Sequence, residues 1–148
     1  MLKLYKNRKI MIYEATITYI TRDKNGNDKQ AKDIFIVDNA ETFAQVEELM
    51  YREFQNLTDI DVIAIKRSNI NEIIKRCSNV DEKIWLADIV QMFVDENGVE
   101  KEMRYKFAFF SLNTDTAFQY VKEYLKQGYT DMELVGLKKT RFQDIYEV

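Results

Sequence analysis

Two short clusters carry the clearest chemical signal in this sequence, Lys66-Arg67-Ser68 and Lys138-Lys139-Thr140. Each sets two cations beside a hydroxyl. Each also lies where an apolar, alternating run meets capping-box spacing, Asn69 with Glu72 and Thr140 with Gln143. A strand running into the N-terminus of a short helix leaves backbone N–H groups unbonded, and the helix dipole favours an anion there. The chemistry predicted is a duplicated site for phosphate, on a nucleotide or a nucleic-acid backbone. Neighbouring strand residues point to opposite faces, so only one cation of each pair can meet a given ligand without twist or fraying. The same residues also read as a solvated strand end closed by a capping hydroxyl. Arg141 adds a cation in the second cluster only.

Other candidates are weaker. Asp23 to Asp28 resembles a calcium loop, but its glycine is fourth rather than sixth, and Ile34 stands where the bidentate glutamate belongs. A hairpin turn is the simpler reading. Arg104 and Lys106 flank aromatic residues, as in a stacking platform for single strands, yet their phase puts Tyr105, Phe107 and Phe109 into a core. Glu47, Glu48, Asp59 and Asp61 read as surface charge. The sequence contains no histidine, which removes Ser-His and Cys-His nucleophile pairs and most zinc ligand sets. No catalytic residue, metal site or cofactor is expected, and the chain reads as non-catalytic.

Composition narrows the class. The 148 residues carry 22 basic and 25 acidic groups, a net charge of −3, so a basic body for indiscriminate nucleic-acid binding is absent. Only the first ten residues are lopsided, with Lys3, Lys6, Arg8 and Lys9. They read as a tail that extends a strand or stays disordered, or as a basic arm. The lone Cys77 fits a reducing compartment. No apolar run is long enough to span a bilayer and no leader pattern opens the chain, so a cytoplasmic protein is expected.

The elements that position the clusters are written twice. Tyr13–Ile74 recurs as Trp85–Tyr146, shifted by 72 positions, with Gly26 falling on Gly98. Each copy opens with strand alternation: Tyr13, Ala15, Ile17 and Tyr19, then Trp85, Ala87 and Ile89. Asn25-Gly26 and Asn97-Gly98 predict a tight type I′ hairpin. A second strand carries Phe35 and Val37, or Tyr105, Phe107 and Phe109. A helix follows, capped by Asp38 or Asn39 in the first copy and by Asn113 or Thr114 in the second. Its stripe is Phe43, Val46, Leu49, Met50 and Phe54, matched to Phe118, Val121, Tyr124 and Leu125 by a slip of three. Strand three runs from Ile60 to Arg67 and from Met132 to Lys139, and the short helix closes each unit.

The predicted fold is α+β: a tandem duplication of a ββαβ unit, with mostly antiparallel sheets in the order 2-1-3 and one main helix per unit. The divisions are a basic tail (1–11), a first repeat (12–76), a connector (77–84) and a second repeat (85–148). The sheet face away from the helix is apolar, with Ile20, Ile34, Ile36, Ile60 and Val62 in one copy and Leu86, Val90, Met92, Met132 and Leu134 in the other. It needs cover, from the other copy, a partner or a ligand.

Tyr13-Glu14-Ala15, Ala64-Ile65-Lys66-Arg67 and Glu72-Ile73-Ile74, with the Asn-Gly hairpin, resemble an uncharacterised two-copy family of gut Bacteroidales, their phages and mobile elements, labelled a domain of unknown function (4494). The resemblance covers residues 12–146. This chain has a shorter middle section and Lys139-Thr140-Arg141 in its second ending. The family offers no site residues to carry over; the resemblance implies a small intracellular protein of phage or mobile-element origin. The expected function is binding of a phosphate-bearing ligand, either nucleic acid or a signalling nucleotide, through Lys66, Arg67, Ser68, Lys138, Lys139 and Thr140. The other reading is a protein–protein adaptor, inhibitor or homodimer acting through the apolar faces.

Overall fold

The computed structural model describes residues 3–5, 8–129 and 131–148. Its elements are β1 (Lys3–Tyr5), β2 (Arg8–Arg22), β3 (Asp28–Ala40), α1 (Phe43–Glu53), β4 (Thr58–Arg67), β5 (Glu72–Lys75), β6 (Lys83–Val94), β7 (Glu100–Ser111), α2 (Thr114–Lys126), β8 (Met132–Lys139) and β9 (Phe142–Glu147). The fold is α+β, and the ββαβ unit occurs twice: β2-β3-α1-β4, then β6-β7-α2-β8. In each, the third strand pairs antiparallel with the first, which gives the order 2-1-3. In the basic run, Lys3 lies on β1 and Arg8 and Lys9 open β2, where the two strands pair; Lys6 lies outside the described residues.

The expected closing helices are strands instead, and each leaves its own repeat. β5 pairs in parallel with β7, with Ile73 opposite Ala108. β9 pairs in parallel with β3, with Tyr146 opposite Val37. The sheets therefore run β4-β2-β3-β9, with β1 also paired to β2, and β8-β6-β7-β5. The compact units are Ile70–Thr140 and, separately, the chain through Asn69 together with Arg141–Val148. Capping-box spacing misled here because an isolated turn of helix is marginal. The β-branched and aromatic residues Ile73, Ile74, Ile145 and Tyr146 instead pair with the open edges of β7 and β3, which would otherwise carry unbonded backbone groups.

Each closing strand completes a core. Tyr146 packs edge-on against Phe35 and Phe54, at 5.5 and 5.6 Å between ring centres. The core around it holds Tyr13, Ile17, Val37, Val46 and Met50, all buried. Ile74 joins Trp85, Ile89, Phe107, Phe109, Val121 and Leu125, and its carbonyl accepts from the Tyr120 hydroxyl at 2.9 Å. Full burial of such side chains stabilises by about 1.5–3 kcal/mol each. Arg104 and Lys106 pair with Glu102 and Asp88 at 2.8 and 2.9 Å, while the neighbouring Tyr105, Phe107 and Phe109 serve the core.

Three local expectations change. The hairpins are wider than type I′, since only Gly26 (φ 80°) and Gly98 (φ 77°) take positive φ there. Asp23 and Asp95 hold the loops, each carboxylate accepting two backbone N–H groups at 2.9–3.0 Å. Cap Thr42, in a box with Gln45, starts α1, because β3 continues through Asp38 and Asn39 to Ala40. Asn113 caps α2 as expected, in a box with Thr116. Finally, Ile60, Val62, Met132 and Leu134 face the helices rather than the opposite face. A bulge at Ile63 in β4, repeated at Val135 in β8, adds one residue to each strand and inverts the phase before it.

Candidate functional site

Lys66 and Arg67 end β4, and Lys138 and Lys139 end β8, all exposed. No helix follows either pair, so the dipole that motivated an anion site is missing. The backbone N–H of Ser68 donates to the Ile12 carbonyl at 2.8 Å, and that of Thr140 donates to the Ile84 carbonyl at 3.0 Å. The hydroxyls turn inward too. Ser68 donates to Glu14 at 2.8 Å and Thr140 to the Ile84 carbonyl at 2.8 Å. Glu14 also draws Lys66, with Nζ 3.6 Å from its carboxylate. In the second copy Leu86 lies opposite Lys138, where the first copy sets Glu14 opposite Lys66. What the structure brings together at each end is a closed strand terminus with cations on both faces.

A different concavity lies on the second unit. It is a groove of about 240 Å³ between the last turns of α2 and the start of β8. Leu125, Met132 and Leu134 line it with apolar surface, Tyr129 adds an aromatic ring, and Lys122, Lys126 and Glu133 bring charge. Tyr129 stacks on Tyr124 with ring centres 5.4 Å apart and planes 11° from parallel. Burial, reinforced by Tyr129, pushes the Tyr124 phenol up to about 12, so it stays neutral in ordinary buffers. Lys122 Nζ stands 5.4 Å above the Phe118 ring. Lys126 meets Glu123 at 3.4 Å, an exposed pair that holds its ammonium only weakly.

In the first unit a tyrosine crosses the same place. Tyr51 extends from α1 to the outer edge of β4. Its hydroxyl lies 3.2 Å from Asp61 Oδ1 and accepts the Val62 N–H at 3.2 Å. Asp61 and Val62 correspond to Glu133 and Leu134, since both strands bulge at the same point. Tyr51 and Lys122 stand at equal distances from their caps, Thr42 and Asn113. The match is hidden in the sequence, because a slip of three sets the helices one turn out of step. A one-turn error preserves an apolar stripe, so the pattern itself gives no warning. The capping boxes, Thr42 with Gln45 and Asn113 with Thr116, were the available signal.

The hairpins differ as well. Met92, Phe93, Val94, Val99 and Met103 are exposed at the end of β6-β7. The matching positions of β2-β3 are Ile20, Thr21, Arg22, Asn27 and Ala31, so three of the five are polar there. Among the described residues no group of three or more His, Cys, Asp or Glu side chains could hold a metal ion, and no helix is long and apolar enough to cross a membrane.

A family model described as Domain of unknown function (DUF4494) matches residues 11–148. No curated protein matches the chain.

Proposed function

This chain belongs to that DUF4494 family, and from its own geometry we propose a non-catalytic binding protein whose second unit takes a small anionic ligand. The observation that carries this reading is the divergence of matched grooves. One is bridged by Tyr51 from helix to strand edge, while its counterpart is a groove apolar at its base and flanked by Lys122 and Lys126. A phosphate-bearing ligand such as a nucleotide fits that charge, and the cations Lys138 and Lys139 lie on the same unit. Lys66 and Ser68 contribute less, because Glu14 already meets both. Cytoplasmic location and a phage or mobile-element origin accompany this reading as proposals resting on resemblance.

The test is titration of the intact chain with a nucleoside monophosphate, followed by amide shifts in NMR at rising salt. Shifts at Leu125, Met132 and Leu134 that vanish in K122A/K126A support the groove. Shifts at the strand ends, lost when Lys66, Arg67, Lys138 and Lys139 become Ser, would place the site there instead. No shift anywhere would sink the proposal. A second reading, a protein partner, is favoured by the apolar β6-β7 hairpin end. Association through it would persist at high salt, unlike binding carried by lysines.

A further inference from the structure

We propose that the open groove of the second unit receives a small hydroxyaryl anion: an aromatic ring with a hydroxyl at one end and a carboxylate or phosphate at the other. This rests on the second unit being the binding unit and names its ligand class. One molecule carries both versions of the groove. In the first unit a phenol crosses the groove from helix to strand edge, with its hydroxyl set against a carboxylate and a backbone N–H. In the second unit the helix supplies Lys122 instead, and the strand edge keeps its two partners as Glu133 and Leu134. Val62 pairs opposite Ile17 and turns its N–H outward to Tyr51. Leu134 pairs opposite Ile89 in the same register, beside the same bulge, which sets its N–H on the outer edge of β8.

The rest of the ligand follows from what replaced the tyrosine. A ring lying where the Tyr51 ring lies meets Leu125, Met132 and Leu134, with Tyr129 beside it. Its hydroxyl reaches Glu133 and the Leu134 N–H. Its other end points to the helix, where Tyr51 has its own Cβ and where Lys122 and Lys126 now stand. Among the described residues Lys122 has no carboxylate partner and Lys126 only its weak, exposed pairing with Glu123, so an anion is the complement to this end. Neutral phenols lack the charge, and simple anions lack the ring and the hydroxyl, so the groove selects a molecule with all three parts.

The experiment uses the full chain and 4-hydroxyphenylpropionate as probe, read by amide NMR and calorimetry. Phenylpropionate, hexanoate and inorganic phosphate serve as comparisons. The hydroxyl probe is expected to shift the Leu134 amide and to bind on the order of tenfold more tightly than phenylpropionate, the worth of a hydrogen bond to a charged acceptor. K122Y, which restores the first unit's residue, is expected to close the groove and abolish binding while the amide spectrum of the fold persists. If K122Y unfolds, Tyr51→Ala gives the complementary readout: the first groove opens and the Val62 amide shifts on adding phenol. Equal affinity for probe and phenylpropionate, or undiminished binding by a folded K122Y, overturns the ligand class. Phosphate binding that persists with no preference for the ring overturns this inference alone and leaves the anion-binding reading standing. Absence of binding by every anion removes both.

Discussion

Tyr146→Ala tests the exchange of closing strands most directly. The ring is half-buried and meets Phe35 and Phe54 edge-on, with interplanar angles of 70° and 78°. Each such aromatic pair is worth about 1 kcal/mol beyond its buried area. A fully buried aromatic truncated to Ala costs about 3–5 kcal/mol, so a half-buried one that loses two ring contacts costs about 2–3 kcal/mol. The informative part is where the loss appears. Tyr146 ends the second repeat in sequence, yet it packs into the core built on β2 and β3. Native-state hydrogen exchange resolves this. Amides of Ala15, Ile17, Phe35 and Val37 should exchange faster by a factor of roughly 30 to 150. Those of Ala87, Ile89, Phe107 and Phe109 should keep their protection. Ile74→Ala, the matched position, should produce the mirror pattern. Lost protection in β6 and β7 on replacing Tyr146, with β2 and β3 unaffected, would mean that each strand closes its own repeat and would refute the argument.

Other outcomes follow from single contacts. Thr42→Ala and Asn113→Ala should each lower stability by about 1 kcal/mol in urea titrations, since each removes a helix cap. Gly26→Ala should cost about 1 kcal/mol from backbone strain alone, because φ is 80° and nothing lies within 4 Å of the added methyl. The Tyr124 phenol is raised in the fold from 10.0 to about 12. Its contribution is therefore complete below pH 10 and lost as pH climbs from 10 to 12. Alkaline unfolding followed by tyrosinate absorbance should show this phase, and Tyr124→Phe should remove it. Tyr19, held against Asp33 at 2.7 Å, should likewise ionise above the ordinary tyrosine range, and Asp33→Asn should bring it down.

The candidate site was harder to read than the fold. Lys66 and Lys138 were visible as cations, but their setting depends on partners distant in sequence. Glu14 reaches Lys66 and Ser68, and the carbonyls of Ile12 and Ile84 take the N–H groups meant for an anion. The groove needed three separate segments to meet: α2, Tyr129 and β8. Nothing in the spacing of Lys122 and Lys126 distinguishes a groove wall from an ordinary solvated helix face.

Alternation in Tyr13–Tyr19 and Trp85–Ile89, glycine at the two hairpins and the repeated order of elements are local properties. Nearest neighbours and backbone sterics settle them, so the residues alone were enough to give the α+β class, the duplication and the 2-1-3 order. Destinations are another matter. Whether Glu72–Lys75 coils or extends depends on an open edge at β7, and Phe142–Glu147 depends in the same way on β3. A short segment holds too little free energy of its own to choose, and the unpaired backbone of a distant strand chooses for it.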